Sequence, residues 1–191
     1  MTKLDKATAR KLIGQTTSEP HLLQHALSVS AAMGAMAEHF GENKEYWEAV
    51  GLLHDYDYER HPDEHLKHTK KPLEDAGVDP KTVRAVLSHG WGICTDIEPL
   101  SLMEKSLYAV DELTGLISAT AKMRPNGISD LEAKSVKKKF KDRAFAAKIS
   151  REIIEAGAGM LDMELGTLIE LCIKGMRPHA AELGLLGSKA G

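Results

Sequence analysis

Apolar residues in this chain recur at intervals of three and four, which is the spacing of one face of an α-helix. The clearest example begins at Pro20 and ends at Gly41, and its stripe consists of Leu22, Ala26, Val29, Met33, Met36 and Phe40. The best candidate for a strand, residues 93–97, contains Asp96 and has polar neighbours. The pattern therefore predicts an all-α fold.

Helix start and stop signals divide the chain into separate elements. Ser18 is the expected cap of the second helix, and capping boxes of Ser101 with Glu104 and of Ser129 with Glu132 predict two later starts. The predicted helices cover residues 2–14, 20–41, 44–55, a segment ending at residue 76, 79–89, a segment from residue 101, 129–156, and a segment from residue 163 that bends near Pro178. Residues 56–63 and 90–99 are the main predicted connections.

The composition is that of one folded domain. The 191 residues are 42% hydrophobic and carry a formal net charge of -3, so we expect no specific nucleic-acid partner. No apolar run approaches the roughly 18 residues that a membrane span needs, and the N-terminus lacks a signal-peptide pattern. Cys94 and Cys172 are isolated and match no zinc-ligand spacing, so we interpret them as buried free thiols of a cytoplasmic protein.

Four polar residues stand at or beside the apolar faces of predicted helices. His25 lies on the stripe of the second helix, His54 and Asp55 end the third, and Asp111 lies one turn beyond Leu107. A buried carboxylate is costly unless a metal ion or a cationic side chain compensates its charge. Imidazole and carboxylate together suit manganese, iron, cobalt or zinc. Taken singly, each residue has an ordinary alternative, such as a hydrogen-bonded core histidine, a helix cap or an arginine partner.

The joint order of these residues is more specific: a His, a gap of 28 residues, a His-Asp pair, and an Asp on a later helix. The segments HLLQHALSVSAAM, AVGLLHDYDYE and EKSLYAVDELTGLI, with His25, His54, Asp55 and Asp111, resemble the HD-domain superfamily of metal-dependent phosphohydrolases. The later stretch KSVKKKFKDRAFAA is similar to a bacterial branch of predicted HD hydrolases. The resemblance implies a helical bundle around a metal site. We expect a single domain over residues 1–191, with a metal-binding core at about 20–120 and a C-terminal helical extension at about 129–187.

The same resemblance implies one or two divalent transition-metal ions. The first would be held by His25, His54, Asp55 and Asp111. A second would need two more histidines, which are His89 and either His65 or His68, with His65 preferred. Asp55 would then bridge the two ions, and a water between them would be the nucleophile.

Further acidic residues surround the expected site in sequence. In some members of the superfamily, an acidic residue that follows the His-Asp pair positions the attacking water or protonates the leaving group, which makes Asp57 and Glu59 candidates beside Asp55. Their alternative interpretation is a solvated loop. Glu112 follows Asp111 on another helix face, and we expect it to pair with a Lys or Arg.

A phosphate substrate needs cations in addition to the metal. Candidate residues are Arg60, Arg124 and a basic run in which Lys134, Lys138 and Lys141 share one helix face. A solvated helix face is the alternative for this run. We take Arg124 with the three lysines as the predicted substrate-binding residues.

The predicted activity is hydrolysis of a phosphomonoester or phosphodiester of a small molecule, with a nucleotide as one candidate. Two alternatives stay open: a non-catalytic HD module that binds a nucleotide or a partner protein, and a di-iron oxygenase. We expect no membrane partner, and methionine-rich helix faces leave room for a homodimer.

Overall fold

Local sequence signals set most of the helices. The computed structural model describes residues 4–188, in which nine α-helices and two 3₁₀ turns occur and no strand is formed. The all-α prediction is therefore confirmed. The helices are α1 (Lys6–Ile13), α2 (Pro20–Phe40), α3 (Lys44–Leu53), α4 (Lys70–Asp75), α5 (Pro80–Ser88), α6 (Leu102–Lys122), α7 (Ala133–Lys141), α8 (Arg151–Met160) and α9 (Leu165–Met176).

The two longest helices, α2 and α6, form the centre of the bundle. Helix α2 packs against α3, α6 and α9, and α6 packs against α5 and α8. Two of these crossings require glycine, because an added Cβ at Gly51 would lie 2.8 Å from the Ser30 Cα and one at Gly157 would lie 2.5 Å from the Ala109 Cα. These close approaches fix α3 on α2 and α8 on α6, and α2 and α6 carry the candidate ligands His25 and Asp111.

Helix ends follow the predicted caps where the cap is local. Asp79 accepts hydrogen bonds from the Lys81 and Thr82 amides, and Ser101 with Glu104 forms a complete capping box. The prediction that Ser18 caps α2 is wrong: Glu19 is the cap residue, and the Ser18 hydroxyl donates to Glu59 instead. The third helix ends at Leu53, two residues earlier than predicted.

Two further boundaries differ from the sequence prediction. The second capping box does not form, since the Glu132 side chain makes no cap bond, and the single helix predicted over residues 129–156 is interrupted between Lys141 and Arg151. The carbonyls in this gap accept hydrogen bonds from the Arg151 guanidinium, so they do not continue a helix. The helix predicted to carry His65 and His68 begins only at Lys70.

No helix within residues 4–188 has the length and hydropathy needed to cross a membrane.

Candidate metal centre

Six side chains converge where α2 and α6 pack together. His25 comes from α2 and Asp111 from α6. His54 and His89 are the C-cap residues that follow α3 and α5. Asp55 follows His54 in the turn, and His65 follows the 3₁₀ turn Pro62–Glu64. His54 keeps helical dihedrals of φ -57° and ψ -40°, and both neighbours still reach the centre, since Asp55 Oδ2 lies 3.2 Å from the His54 Nε2.

The first group of ligand atoms surrounds one oxygen of Asp55. The His25 and His54 Nε2 atoms lie 3.1 Å apart, and Asp55 Oδ2 is 3.6 Å from the former and 3.2 Å from the latter. Asp111 Oδ1 lies 3.0 Å from the His25 Nε2 and 3.5 Å from that of His54. Four ligand atoms thus face one point.

The second group surrounds the other oxygen of the same carboxylate. Asp55 Oδ1 lies 3.3 Å from the His65 Nε2 and 3.6 Å from the His89 Nε2. The two histidine nitrogens are 3.2 Å apart. Asp55 therefore presents one oxygen to each of two histidine pairs, which is the arrangement of a carboxylate that bridges two positions.

These spacings fit a divalent ion. Ligands bound at roughly 2.0–2.2 Å with tetrahedral or octahedral angles lie about 3.0–3.5 Å from one another. The separations within both groups fall at or close to that range. The donor set of imidazole nitrogens and carboxylate oxygens is that of transition ions. The residues present could therefore hold a metal ion.

Hydrogen bonds to the second ring nitrogen orient three of the four histidines. The Nδ1–H groups of His54 and His89 donate to the Gly51 and Val86 carbonyls at 2.8 and 2.6 Å. These acceptors lie in the last turns of α3 and α5, where carbonyls lack a helical partner. His65 Nδ1 lies 2.9 Å from the Asp57 carboxylate. In the neutral imidazole that binds a metal ion, the proton would stay on Nδ1 and the Nε2 lone pair would be directed at the centre.

The pKa values of the cluster are set by contacts between its imidazole and carboxylate groups. Burial lowers the pKa of His65, but hydrogen bonds to Asp55 and Asp57 outweigh it and raise that pKa to about 9. His54 responds similarly, since the nearby Asp55 and Asp111 carboxylates overcome burial and raise its pKa well above the ordinary value. The pKa values of both aspartates are lowered by the imidazoles despite burial. The carboxylates are thus ready as anionic ligands.

The other acidic candidates have different places. Asp57 is buried, and its oxygens accept hydrogen bonds from the Leu66 and His68 amides as well as facing His65. Glu59 accepts hydrogen bonds from the Ser18 and Glu19 amides and so binds the segment that precedes α2. Neither residue lies in the wall of the cavity beside the ligands.

His68, the alternative second-site ligand, is outside the cluster. Its ring contacts Glu64 and stacks on His61 at a centroid distance of 3.9 Å. The structure brings His65, not His68, to His89. The backbone explains the difference, since Leu66 has a φ of 68° and turns the chain away between the two histidines.

The predicted substrate cations are not brought to the centre. Arg124 pairs with Asp130, and Lys134 pairs with Glu132. Lys138 and Lys141 are exposed. None of the four lines the cavity that contains the ligands.

That cavity has a volume of about 410 Å³ and includes residues that sequence reasoning did not find. Ile149 and Ile153 form part of its wall, and Glu112 lies beside Asp111. Glu112 accepts a hydrogen bond from the Ser150 amide rather than pairing with a Lys or Arg, and burial together with the Asp111 charge raises its pKa to about 7. Ile149 falls in the predicted 129–156 helix, so no signal in the sequence assigned it to the site.

Comparison with known proteins agrees with the geometry. A family model described as "HD domain" matches residues 22–137, which include all six converging side chains. Searches of curated proteins and of solved structures found no match to the chain. HD domains are typically metal-dependent hydrolases. The match covers more than half of the sequence, and the chain therefore belongs to the HD domain family.

Proposed function

We propose that this protein is a metal-dependent phosphohydrolase with a two-ion centre. The observation that carries the proposal is the position of Asp55, whose oxygens face His25 and His54 on one side and His65 and His89 on the other. Asp111 completes the first group. Manganese, iron, cobalt and zinc are the candidate ions.

The contribution of the protein's own residues is to hold the metal-binding side chains in place and to orient them. The carbonyls of Gly51 and Val86 and the Asp57 carboxylate fix the rings of His54, His89 and His65. When bound, two ions would supply an activated water and neutralise charge on the phosphoryl oxygens of the substrate. The cavity that contains these side chains has a volume of about 410 Å³ and would receive the substrate.

The substrate in this proposal is a phosphomonoester or phosphodiester of a small molecule. The intact ligand set supports catalysis over a purely binding module, because all six side chains are present and directed at one centre. The di-iron oxygenase alternative uses the same ligands, and it differs from the proposal in needing iron and oxygen for turnover.

The test is hydrolysis of a phosphoester panel by protein loaded with manganese, iron, cobalt or zinc, assayed both without and with oxygen. We expect turnover in the wild type, loss of roughly 100-fold or more in Asp55→Asn, and full activity in His68→Ala, whose ring lies outside the cluster. Absence of turnover with all four metals, in a protein that binds them, would contradict the hydrolase proposal. Oxygen-dependent turnover with iron alone would favour the oxygenase.

A further inference from the structure

The wall of the metal cavity contains side chains from outside the family match. The match ends at residue 137, whereas Ile149 and Ile153 line the same cavity as the ligands. Ile149 lies in the turn before α8, and Ile153 lies in the first turn of that helix. Both are half-buried, so each presents part of its side chain to the cavity.

The segment that carries these isoleucines is fixed in place by a buried arginine. Arg151 is 2% exposed, and its guanidinium donates to backbone carbonyls along residues 139–149. Ile149 is itself one of the acceptors, at 2.8 Å from Nη1. These hydrogen bonds, which we call the Arg151 clasp, give the irregular segment between α7 and α8 a defined conformation.

A second set of contacts joins the segment to α6. The Ser150 amide donates to the Glu112 carboxylate at 3.2 Å, one residue from the ligand Asp111. A Cβ added to Gly115 would lie 3.2 Å from the Ile149 Cδ1, so the glycine gives the isoleucine room against α6. The wall is therefore built against the helix that carries a ligand.

The rest of the wall away from the ligands is also largely apolar. Leu22 comes from α2, and Tyr58 and Ile93 lie at the surface with 40% and 67% of their areas exposed. Among the residues that the structure describes, the lining of this cavity includes no Lys and no Arg. Its acidic members are the two ligands and Glu112. A second anionic group on a substrate would find no cation in this wall.

We infer that residues 149–153 form a specificity wall that selects compact phosphoesters with an uncharged, apolar leaving alcohol and disfavours substrates with a second anionic group. This inference rests on the proposed function for the placement of the phosphoryl group at the ligands. The apolar alcohol would then lie against Ile149, Ile153 and Leu22. Discrimination follows because apolar surface is buried on one class of substrate, whereas an anionic tail would lose hydration without gaining a partner.

The test uses binding, so that it does not depend on turnover. Methyl-, butyl- and hexylphosphonate and the anion-tailed 4-phosphonobutyrate are titrated into manganese-loaded wild type, Ile149→Ser, Ile153→Ser and the double variant. The matched control is Met123→Ser, which changes an apolar residue that is 70% exposed and outside the cavity. Metal content is measured for each protein.

We expect affinity to rise roughly tenfold from methyl- to hexylphosphonate in the wild type and in Met123→Ser, with 4-phosphonobutyrate weaker than butylphosphonate. In the double variant, most of the increase in affinity with alkyl-chain length should disappear, while the metal content stays unchanged. Equal chain-length gains in the wild type and the double variant, or no gain in either, would overturn the inference. A chain-length gain without hydrolysis of any phosphoester would leave the wall supported and count against the hydrolase proposal alone.

Discussion

The ring orientation of three histidines in the centre is fixed by the group that contacts Nδ1. His54 and His89 end helices and use carbonyls from the last turn, whereas His65 lies in an irregular segment and depends on Asp57. The same carboxylate accepts the Leu66 and His68 amides and so shapes the turn that carries His65. Asp57 is therefore a positioning residue for the second group of ligands.

Asp57→Asn should weaken the second ion selectively. The amide keeps the size of the side chain but removes the charge that faces His65, and changes of this kind typically cost about 10–100-fold in metal affinity. No contact joins Asp57 to His25, His54 or Asp111, so one of the two binding steps should be retained. Calorimetric titration with manganese measures both steps, and exposed Asp63→Asn is the control. Equal weakening of both steps would contradict the assigned role.

At the residue scale, the sequence predicts the side chains that converge but does not predict their surroundings. His25, His54, Asp55 and Asp111 are polar residues at or beside apolar helix faces, and their order matches a known family. The choice of His65 over His68 stayed open in the sequence because it depends on the turn at Leu66, which has no local signature. The functional use of each ligand remains a prediction until metal binding is measured.

At the scale of the helices, boundaries set by neighbouring residues were predicted, whereas boundaries set by tertiary contacts were not. The capping box of Ser101 and Glu104 is formed by neighbouring residues and appears as predicted. The identical motif at Ser129 and Glu132 fails, since the Ser129 hydroxyl donates to the Asn126 carbonyl within the preceding turn. The interruption between α7 and α8 depends on Arg151, whose contacts with this segment only the fold reveals.

The Glu104 side chain should stabilise α6 in a pH-dependent way. Burial raises its pKa, but the Ser101 and Leu100 amides and Arg84 outweigh burial and hold that pKa below the ordinary 4.5. A lowered folded pKa means that the stabilisation is present above the unfolded value and is lost as the pH falls through the folded one.

Glu104→Gln should therefore cost about 1–3 kcal/mol in free energy of unfolding at neutral pH, and the difference from wild type should shrink below pH 4. Urea unfolding at several pH values measures it, with the exposed Glu155→Gln as control. A difference that stays constant down to pH 3 would show that the charge of Glu104 is not responsible.

Arg151→Met should destabilise the segment between α7 and α8. The substitution keeps an apolar stem but removes the donors that the buried carbonyls of this turn use, and we expect a loss of about 3 kcal/mol or more. Chemical unfolding gives the magnitude. Exposed Arg143→Met, which breaks only the contact with Glu152, should cost less than about 1 kcal/mol. Similar losses in the two variants would argue against the clasp.

On the scale of the whole molecule, one cavity is lined both by residues inside the family match and by residues beyond it. The converging ligands all lie within residues 22–137, whereas Ile149 and Ile153 come from the segment beyond it. Helices α8 and α9 pack on α6 and α2, so the later helices share the core with the ligand-bearing ones. This packing is what brings an apolar wall to a polar centre.

Metal stoichiometry tests whether Asp55 bridges two ions. Proteins purified without metal are loaded with manganese, iron, cobalt or zinc, dialysed, and analysed by mass spectrometry of the bound metal, with circular dichroism to confirm folding. We expect two ions per chain in the wild type and in His68→Ala, one in His89→Ala, and close to none in Asp55→Ala. One ion in both the wild type and His89→Ala, or none in a folded wild type with any of the four metals, would contradict this expectation.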